Sequence, residues 1–386
     1  MKIGINARFL TKPYTGIGQH TKYLFSALAE THPEIRLVMV VPEEIDVHMP
    51  GNVEICVLKE NFFGTAGMRK TYWEQRQVPR FLLQKQVDLV HFPYPSNPWN
   101  AFAKPVAVTV HDTIPWTSEI YRRSISTRLY QDTCRFAVKK ADHVFTVSHV
   151  SEEEIIRLCS VPKEKISISF NAPAPMFFNN FSEEQKAGIL QKYGVDPKRP
   201  FFFYIGGYDH RKNVQTLVSV FESAVAPNFG VDLVMAGGKN VDDILYASFD
   251  RLTNSGNRGN FEAQKGSVVM TGFVAEEDLP ALYQSSLAFI NLSEKEGCNL
   301  PLLEAAASKV PLIVSDIPVH HEMIGGYALY CKAHDETKFA ELMTGLLSNK
   351  NFYDQQKQKI SQYACPFSWN KTADQVYQAY QKLLSL

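Results

Sequence analysis

Short apolar runs alternate with helix-compatible stretches along most of this chain, and they fall into two series. In the first half, strands are expected at 2–6, 36–41, 53–58, 89–92, 106–110, 144–147 and 166–170. In the second they are expected at 201–205, 232–235, 268–271, 288–292, 312–314 and 328–330. Runs this short and this continuously apolar, with helices between them, read as parallel strands buried on both faces. Asn171-Ala-Pro-Ala-Pro175 separates the series, and its prolines make it a stiff connector. A length of 386 residues also favours two domains over one. The chain therefore reads as α/β, with two Rossmann-like, doubly wound domains at 1–172 and 173–367 facing each other across a cleft. Ligands of such sheets bind beyond the carboxyl ends of the strands, so motifs placed there carry the functional signal.

Composition narrows the class. Hydrophobic residues make up 45% and charged residues 21%, ordinary for a globular protein with sizeable cores. No apolar run approaches the ~18 residues of a membrane span. Met1-Lys-Ile-Gly-Ile-Asn6 enters a strand at once, so no signal peptide is expected. Cys56, Cys134, Cys159, Cys298, Cys331 and Cys365 show no paired spacing, which fits reduced cytoplasmic thiols better than disulfides or a zinc site.

The stretch Ser293-Glu-Lys-Glu-Gly-Cys-Asn-Leu-Pro-Leu-Leu-Glu304-Ala-Ala-Ala holds Glu296 and Glu304 with seven residues between them. It follows the expected strand 288–292. Pro301 suits a first helical turn, where its missing N–H is not needed. Leu302 to Ala307 are good helix formers. Glu296 then lies just before the helix and Glu304 one turn inside it. Both border free backbone N–H groups, a ready anion site. Acids beside an anion site suit a ligand with hydroxyls and phosphates, such as a nucleotide sugar.

In Phe203-Tyr-Ile-Gly-Gly-Tyr-Asp-His-Arg-Lys-Asn213 a buried strand ends in Gly206-Gly207, with Arg211 and Lys212 expected at the start of a helix. Adjacent cations there can neutralise a diphosphate as a glycosidic bond breaks. No Asp-x-Asp metal motif is present. In the first half, Asn6-Ala-Arg8 and the loop Gly16-Ile-Gly18 follow the first strand, and His111-Asp112-Thr-Ile-Pro115 ends the strand 106–110. His91 and Ser148 end other strands and read as structural. Ser151-Glu-Glu-Glu154 reads as a capping box.

Together these segments resemble family 4 retaining glycosyltransferases, which carry an E-x7-E signature on the two-domain GT-B fold. Met235-Ala-Gly-Gly238, Thr271-Gly-Phe-Val274 and Pro366-Phe-Ser-Trp369 extend the resemblance, which is strongest from Phe201 to Glu322. It implies a metal-independent enzyme in which Arg211 and Lys212 hold the donor diphosphate. Glu296 contacts the donor sugar, Glu304 the ribose, and His111 orients the sugar. Gly16 and Gly18 form a phosphate-approaching loop. Cys298, Asn299 and Leu300 line the anion loop, and Gly272 and Phe273, with the loop near Gly238, face the base. The family usually has Phe-Gly where this chain has Cys298-Asn299, and Asn tolerates unusual backbone angles. A final helix at 368–386 is implied to pack back on the first domain.

The resemblance also implies no cofactor beyond the nucleotide-sugar substrate. Transfer with retained configuration runs by front-face attack onto a saccharide or lipid-linked acceptor. The nearest settings are those of bacterial mannosyltransferases of surface polysaccharides, so GDP-mannose is the expected donor and a UDP-sugar the alternative. A GT-B nucleotide-sugar epimerase is a further alternative, disfavoured by Arg211-Lys212-Asn213 and the Glu296/Glu304 frame. A dinucleotide-binding protein is disfavoured because Asn6-Ala-Arg8 replaces Gly-x-Gly-x-x-Gly.

Net charge is zero, yet residues 1–170 carry 21 basic and 17 acidic residues (+4) and the remainder 19 and 23 (−4). Arg122, Arg123, Arg128, Arg135, Lys139 and Lys140 are expected on one helix. Arg69, Lys70, Tyr72 and Trp73 are expected in an acceptor-side loop near Phe62-Phe63. Such a face suits peripheral contact with anionic lipid on the inner side of a membrane, or plain solvent. No nucleic-acid motif accompanies it.

Overall fold

The computed structural model describes every residue except 62, 123, 238–264 and 386. Phe62, Arg123 and Gly238, singled out above, lie outside the described residues. The chain packs as two units, Met1–Ala172 with Phe367–Leu386, and Pro173–Pro366.

The first unit is a parallel seven-stranded sheet. Its strands are β1 Lys2–Asn6, β2 Arg36–Val41, β3 Val53–Val57, β4 Leu89–Phe92, β5 Val106–Val110, β6 His143–Thr146 and β7 Ile166–Ile168. They lie in the order β3-β2-β1-β4-β5-β6-β7. Ile3 pairs with Leu37 on one side and Leu89 on the other. Ile3, Ile5, Leu37 and Met39 pack against Leu24, Phe25 and Leu28 of helix Gly16–Thr31 and Val376, Tyr380 and Leu383 of helix Trp369–Leu384. Ser368 caps that last helix by accepting the Lys371 N–H. Buried His91 shares hydrogen bonds with the hydroxyls of Tyr380 (2.5 Å) and Thr109 (2.7 Å), which makes it structural.

The second unit is a parallel six-stranded sheet of β8 Phe201–Ile205, β9 Asp232–Ala236, β10 Val268–Gly272, β11 Ala288–Asn291, β12 Leu312–Ser315 and β13 Leu329–Cys331. Its order is β10-β9-β8-β11-β12-β13. Phe202, Tyr204, Leu233 and Ile290 meet Val214, Leu217, Phe221, Phe339 and Met343 in its core. In both sheets the strand order reverses beside the first strand, between β1 and β4 and between β8 and β11, while every strand stays parallel. Those are the crevices where a doubly wound sheet binds ligands.

Local chemistry corrects three expectations. The residues 69–73 are not a loop: Thr65 caps helix Ala66–Tyr72, whose residues favour helix, and a wide turn Trp73–Gln77 leads into helix Val78–Gln84. Trp73 is fully buried in the core and its indole N–H donates to the Leu58 carbonyl at 2.5 Å, so it faces no acceptor. The basic residues are not one helix. Ser124 caps helix Ile125–Lys140, which carries Arg128, Arg135, Lys139 and Lys140, while Arg122 sits in the turn before it and pairs with Asp132 at 3.0 Å. Finally, Ser148 and not Ser151 caps helix His149–Cys159, because Ser148 is extended and its hydroxyl accepts the Ser151 N–H at 3.1 Å. No helix among the described residues is long and apolar enough to cross a membrane.

Candidate functional site

In the second unit the chain leaves β8 through Gly206 at φ +152°. Gly237, after β9, lies so close that a Cβ there would stand 2.2 Å from the Gly206 carbonyl oxygen. Arg211 and Lys212 then fall in a single 3₁₀ turn, His210–Lys212, and not on a helix as expected. Asn213 is the reason: it turns left-handed (φ 50°), donates to the Ala333 carbonyl at 2.5 Å, and only then does helix Val214–Val220 begin.

Across the crevice, the loop after β11 carries Glu296 to the same point. Arg211 Nη1 donates to Glu296 Oε2 at 2.6 Å and to the Lys295 carbonyl at 3.0 Å. Lys212 Nζ donates to Glu296 Oε1 at 2.5 Å, and Asp209 stands 3.5 Å from Arg211 Nη2. Burial alone would favour the neutral acid. The Arg211 and Lys212 charges overcome it and hold the Glu296 carboxyl well below the usual carboxylate range. The cations thus face a carboxylate and not open space, because a buried carboxylate needs partners.

Helix Leu300–Ala307 starts with Pro301 in its first turn. Asn299 precedes it at φ 64°, where a β-carbon is strained but Asn is tolerated. Its amide nitrogen lies 2.8 Å from His320 Nε2, and His320 Nδ1 lies 2.8 Å from the Ser315 carbonyl. A carbonyl only accepts, so Nδ1 holds the proton and Nε2 accepts from Asn299. Burial lowers His320 to about 4, which keeps this arrangement neutral. Asn299 Oδ1 and Asn291 Nδ2 are buried without a hydrogen-bond partner among the described residues. Cys298 is buried with its thiol 3.6 Å from the Met323 sulfur, and Leu300 is buried too.

Glu304, one turn inside the helix, accepts the Tyr283 hydroxyl at 3.0 Å. Burial raises its carboxyl to about 8, with Tyr283 opposing and the Glu276 charge assisting. The two acids of one motif are therefore held in opposite states, Glu296 ionised and Glu304 protonated at neutral pH. Gly272 ends β10 at φ +68°, and Phe273 beside it is 64% exposed.

In the first unit, Gly16 and Gly18 lie in the first turn of helix Gly16–Thr31 and not in a loop, because Thr15 caps the helix by accepting the Gly18 N–H at 3.1 Å. Gly18 is needed for packing: a Cβ there would stand 2.3 Å from the Lys12 carbonyl oxygen. Gly16 has open space. Gly18→Ala is therefore expected to cost about 1–3 kcal/mol, read as a lowered Tm, while Gly16→Ala leaves Tm unchanged. Equal Tm values for the two variants would contradict the close approach.

His111 follows β5 and its Nε2 lies 2.8 Å from the Pro93 carbonyl, so Nε2 carries the proton. Burial lowers the ring to about 4 against that bond, leaving Nδ1 as an acceptor. His20 stands edge-on to it, ring centroids 4.6 Å apart, with Nδ1 bound to Asn171 Oδ1 at 2.8 Å. His20, His320 and Tyr283 were not singled out from sequence. A lone histidine on a buried helix face carries no spacing signal, and Tyr283 meets Glu304 only through the fold.

Residues 14–172 match the model of Glycosyltransferase Family 4, and residues 185–364 that of Glycosyl transferases group 1. The O-antigen chain mannosyltransferase B of Escherichia coli is 26% identical over 277 residues, 71% of this chain and 70% of that protein. The O-antigen chain mannosyltransferase RfbU of Salmonella typhimurium is 27% identical over 230 residues, 59% of this chain and 57% of that protein. Among solved structures, sucrose-phosphate synthase from Thermosynechococcus elongatus superposes with a TM-score of 0.75 at 17% identity, covering 100% of this chain and 99% of that one.

Proposed function

The chain belongs to glycosyltransferase family 4 and has the GT-B fold, and from that premise we propose that it moves mannose from GDP-mannose to a saccharide or lipid-linked acceptor. The observation that carries this reading is the meeting of Arg211, Lys212 and Glu296 at the β8/β11 crevice. Arg211 and Lys212 take the diphosphate and supply the positive charge that the leaving group needs, without a metal ion. An ionised carboxylate has about four lone-pair sites, and the two cations use only part of that capacity. Glu296 can then accept donor-sugar hydroxyls while it holds both cations in place, coupling sugar to diphosphate.

The free N–H groups at Asn299 and Leu300 border the diphosphate, Glu304 takes the ribose hydroxyls, and Gly272 with Phe273 face the base. Burial and the Met323 contact turn the Cys298 thiol away from this task. In the first unit, Nδ1 of His111 accepts a donor-sugar hydroxyl, and Gly16 gives a ligand close approach to backbone. No carboxylate is placed as a covalent nucleophile in this scheme. The acceptor attacks the face that the diphosphate leaves, and the leaving phosphate takes the acceptor proton, so configuration is retained. Mannose is favoured by the names of the two O-antigen relatives. The enzyme would work in the cytoplasm, at the inner membrane surface where the acceptor is lipid-linked.

Thermal shift with GDP, UDP and ADP tests the donor. A ligand that binds only the native state adds about 2.7 kcal/mol at a hundred times its Kd, so GDP is expected to give a clear rise in Tm. A shift with UDP and none with GDP would replace the mannose donor by a UDP-sugar and leave the fold untouched. An inverted product by NMR would overturn the retaining mechanism.

A further inference from the structure

In helix Gly16–Thr31 the row His20, Leu24 and Leu28 faces the core, and His20 is its polar member, fully buried. The close approach of Gly18 to the Lys12 carbonyl fixes where this first turn lies. Nε2 of His20 has no partner among the described residues, and a buried imidazole with an unpaired nitrogen costs stability that a leucine would not. A local cost of this kind is expected where a residue serves function. None of the roles above uses His20.

Three neighbours hold its ring. The Asn171 amide oxygen lies 2.8 Å from Nδ1, and an amide oxygen only accepts, so Nδ1 carries the proton and Nε2 is bare. Asn171 is itself buried, and the Thr372 hydroxyl ties down the residue before it by donating to the Phe170 carbonyl at 2.7 Å. Trp369 stands 5.9 Å from the His20 ring and stacks on Tyr23 of the same helix. The third neighbour is His111, met edge to face with the ring planes at 89°. That contact limits rotation of the His111 ring about its own side chain. The Pro93 carbonyl thus sets which nitrogen of His111 is protonated, and His20 sets the plane in which bare Nδ1 is presented.

Charge is the second contribution. Breaking a bond at the anomeric carbon passes through an oxocarbenium-like state, with positive charge building on the sugar. A cation beside it would oppose that charge. The titratable groups that face His20 are His111 and His91. Burial pushes the His20 ring well below the ordinary histidine range, both neighbouring rings add to the shift, and the Asn171 bond opposes it. Asparagine at 171 is the fitting anchor, because it accepts the Nδ1 proton without the negative charge that would draw a second proton onto the ring.

We propose that His20 is a positioning residue for His111: pinned by Asn171, it fixes the plane of the His111 ring against the donor sugar and keeps this end of the site uncharged while the sugar gains positive charge. The inference rests on the reading of His111 as a donor-sugar contact and adds what holds it there.

Kinetics of nucleotide-sugar hydrolysis by the full chain, with GDP-mannose and UDP-glucose as probes, test it beside NMR of the histidine ring nitrogens. His20→Leu is expected to lower kcat by at least about tenfold, with KM and the Kd of GDP changed by less than about twofold. Added to His111→Ala, it should cause no further loss, because the two residues act as one unit. Asn171→Asp keeps the hydrogen bond and favours an imidazolium at His20, so its kcat should fall as pH drops below about 7 and recover above, a titration the wild type lacks. The ring nitrogens of His111 should report one neutral tautomer in the wild type and a shifted, averaged signal in His20→Leu. Wild-type kcat in His20→Leu, additive losses in the double variant, a flat pH profile in Asn171→Asp, or unmoved His111 signals would each overturn the proposal. If His20→Leu does not fold, Asn171→Asp decides alone. A wild type that hydrolyses neither probe, with His111 signals still moved by His20→Leu, removes the donor reading and leaves the pairing of the two rings standing.

Discussion

Lys212→Ala is expected to lower turnover by roughly a hundred- to a thousandfold, the loss seen when one preorganised group aimed at developing charge is removed, about 3–4 kcal/mol of barrier. The structure makes the variant a clean test, because Glu296 keeps Arg211 at 2.6 Å and is not left as an unpaired buried charge. Removing Arg211 and Lys212 together is different: an uncompensated buried carboxylate costs about 3–5 kcal/mol, so that variant should lose stability as well as activity. Glu296→Gln gives the opposite pattern. The two cations lose their neutralising partner, so GDP should bind more tightly while transfer of the sugar falls. Chelator is expected to leave the wild-type rate unchanged. Normal turnover in Lys212→Ala would sink the scheme, as would activity abolished by chelator and restored by Mn²⁺.

The cluster behind this prediction was legible in sequence only in part. Thirteen strands were readable because each is short, apolar and bounded by turn residues, and their observed ends differ by a residue or two where pairing stops. Glu296 and Glu304 were readable because Pro301 and the alanines announce a helix start. Strand order was not, since the reversal between β8 and β11 that brings Lys212 to Glu296 is a long-range pairing with no local mark. The Gly16-Ile-Gly18 segment shows a different limit. Glycine spacing suggested room for a phosphate, yet at Gly18 the room is filled by the Lys12 carbonyl of the chain itself. Trp73 was misplaced because an aromatic among cations looks alike on a surface loop and on the inner face of a helix. Its capping residue, Thr65, was the signal that could have placed it. His320 had no signal at all: it lies 21 residues after Asn299 and acts only by fixing that amide.

Nucleotide affinity is expected to rise with pH on the order of tenfold per unit below about 8 and to level off above it, and Glu304 is the cause. Buried beside Tyr283, its carboxyl titrates at about 8 in the unliganded protein and is mostly protonated at neutral pH. Ribose hydroxyls donate more strongly to a carboxylate than to an acid, so binding draws the ionised form and releases a proton. Stability of the unliganded protein should move the other way. The folded value lies above the unfolded value of ~4.3, so between those limits the folded state keeps a proton that the unfolded state has lost. Stability then falls as pH rises through that window, by at most about 1.4 kcal/mol per unit, and the full penalty is present only above the folded value. Glu304→Gln should weaken GDP binding and flatten both dependences. Calorimetry of GDP at about pH 6, 7 and 8, in buffers of different ionisation enthalpy, reads affinity and proton release together. Glu296 stays ionised across this range, and the Gln variant subtracts the titration of GDP itself. A wild-type Kd for GDP that does not change between those pH values, or a Gln variant that keeps the wild-type slope, would remove Glu304 from the ribose site.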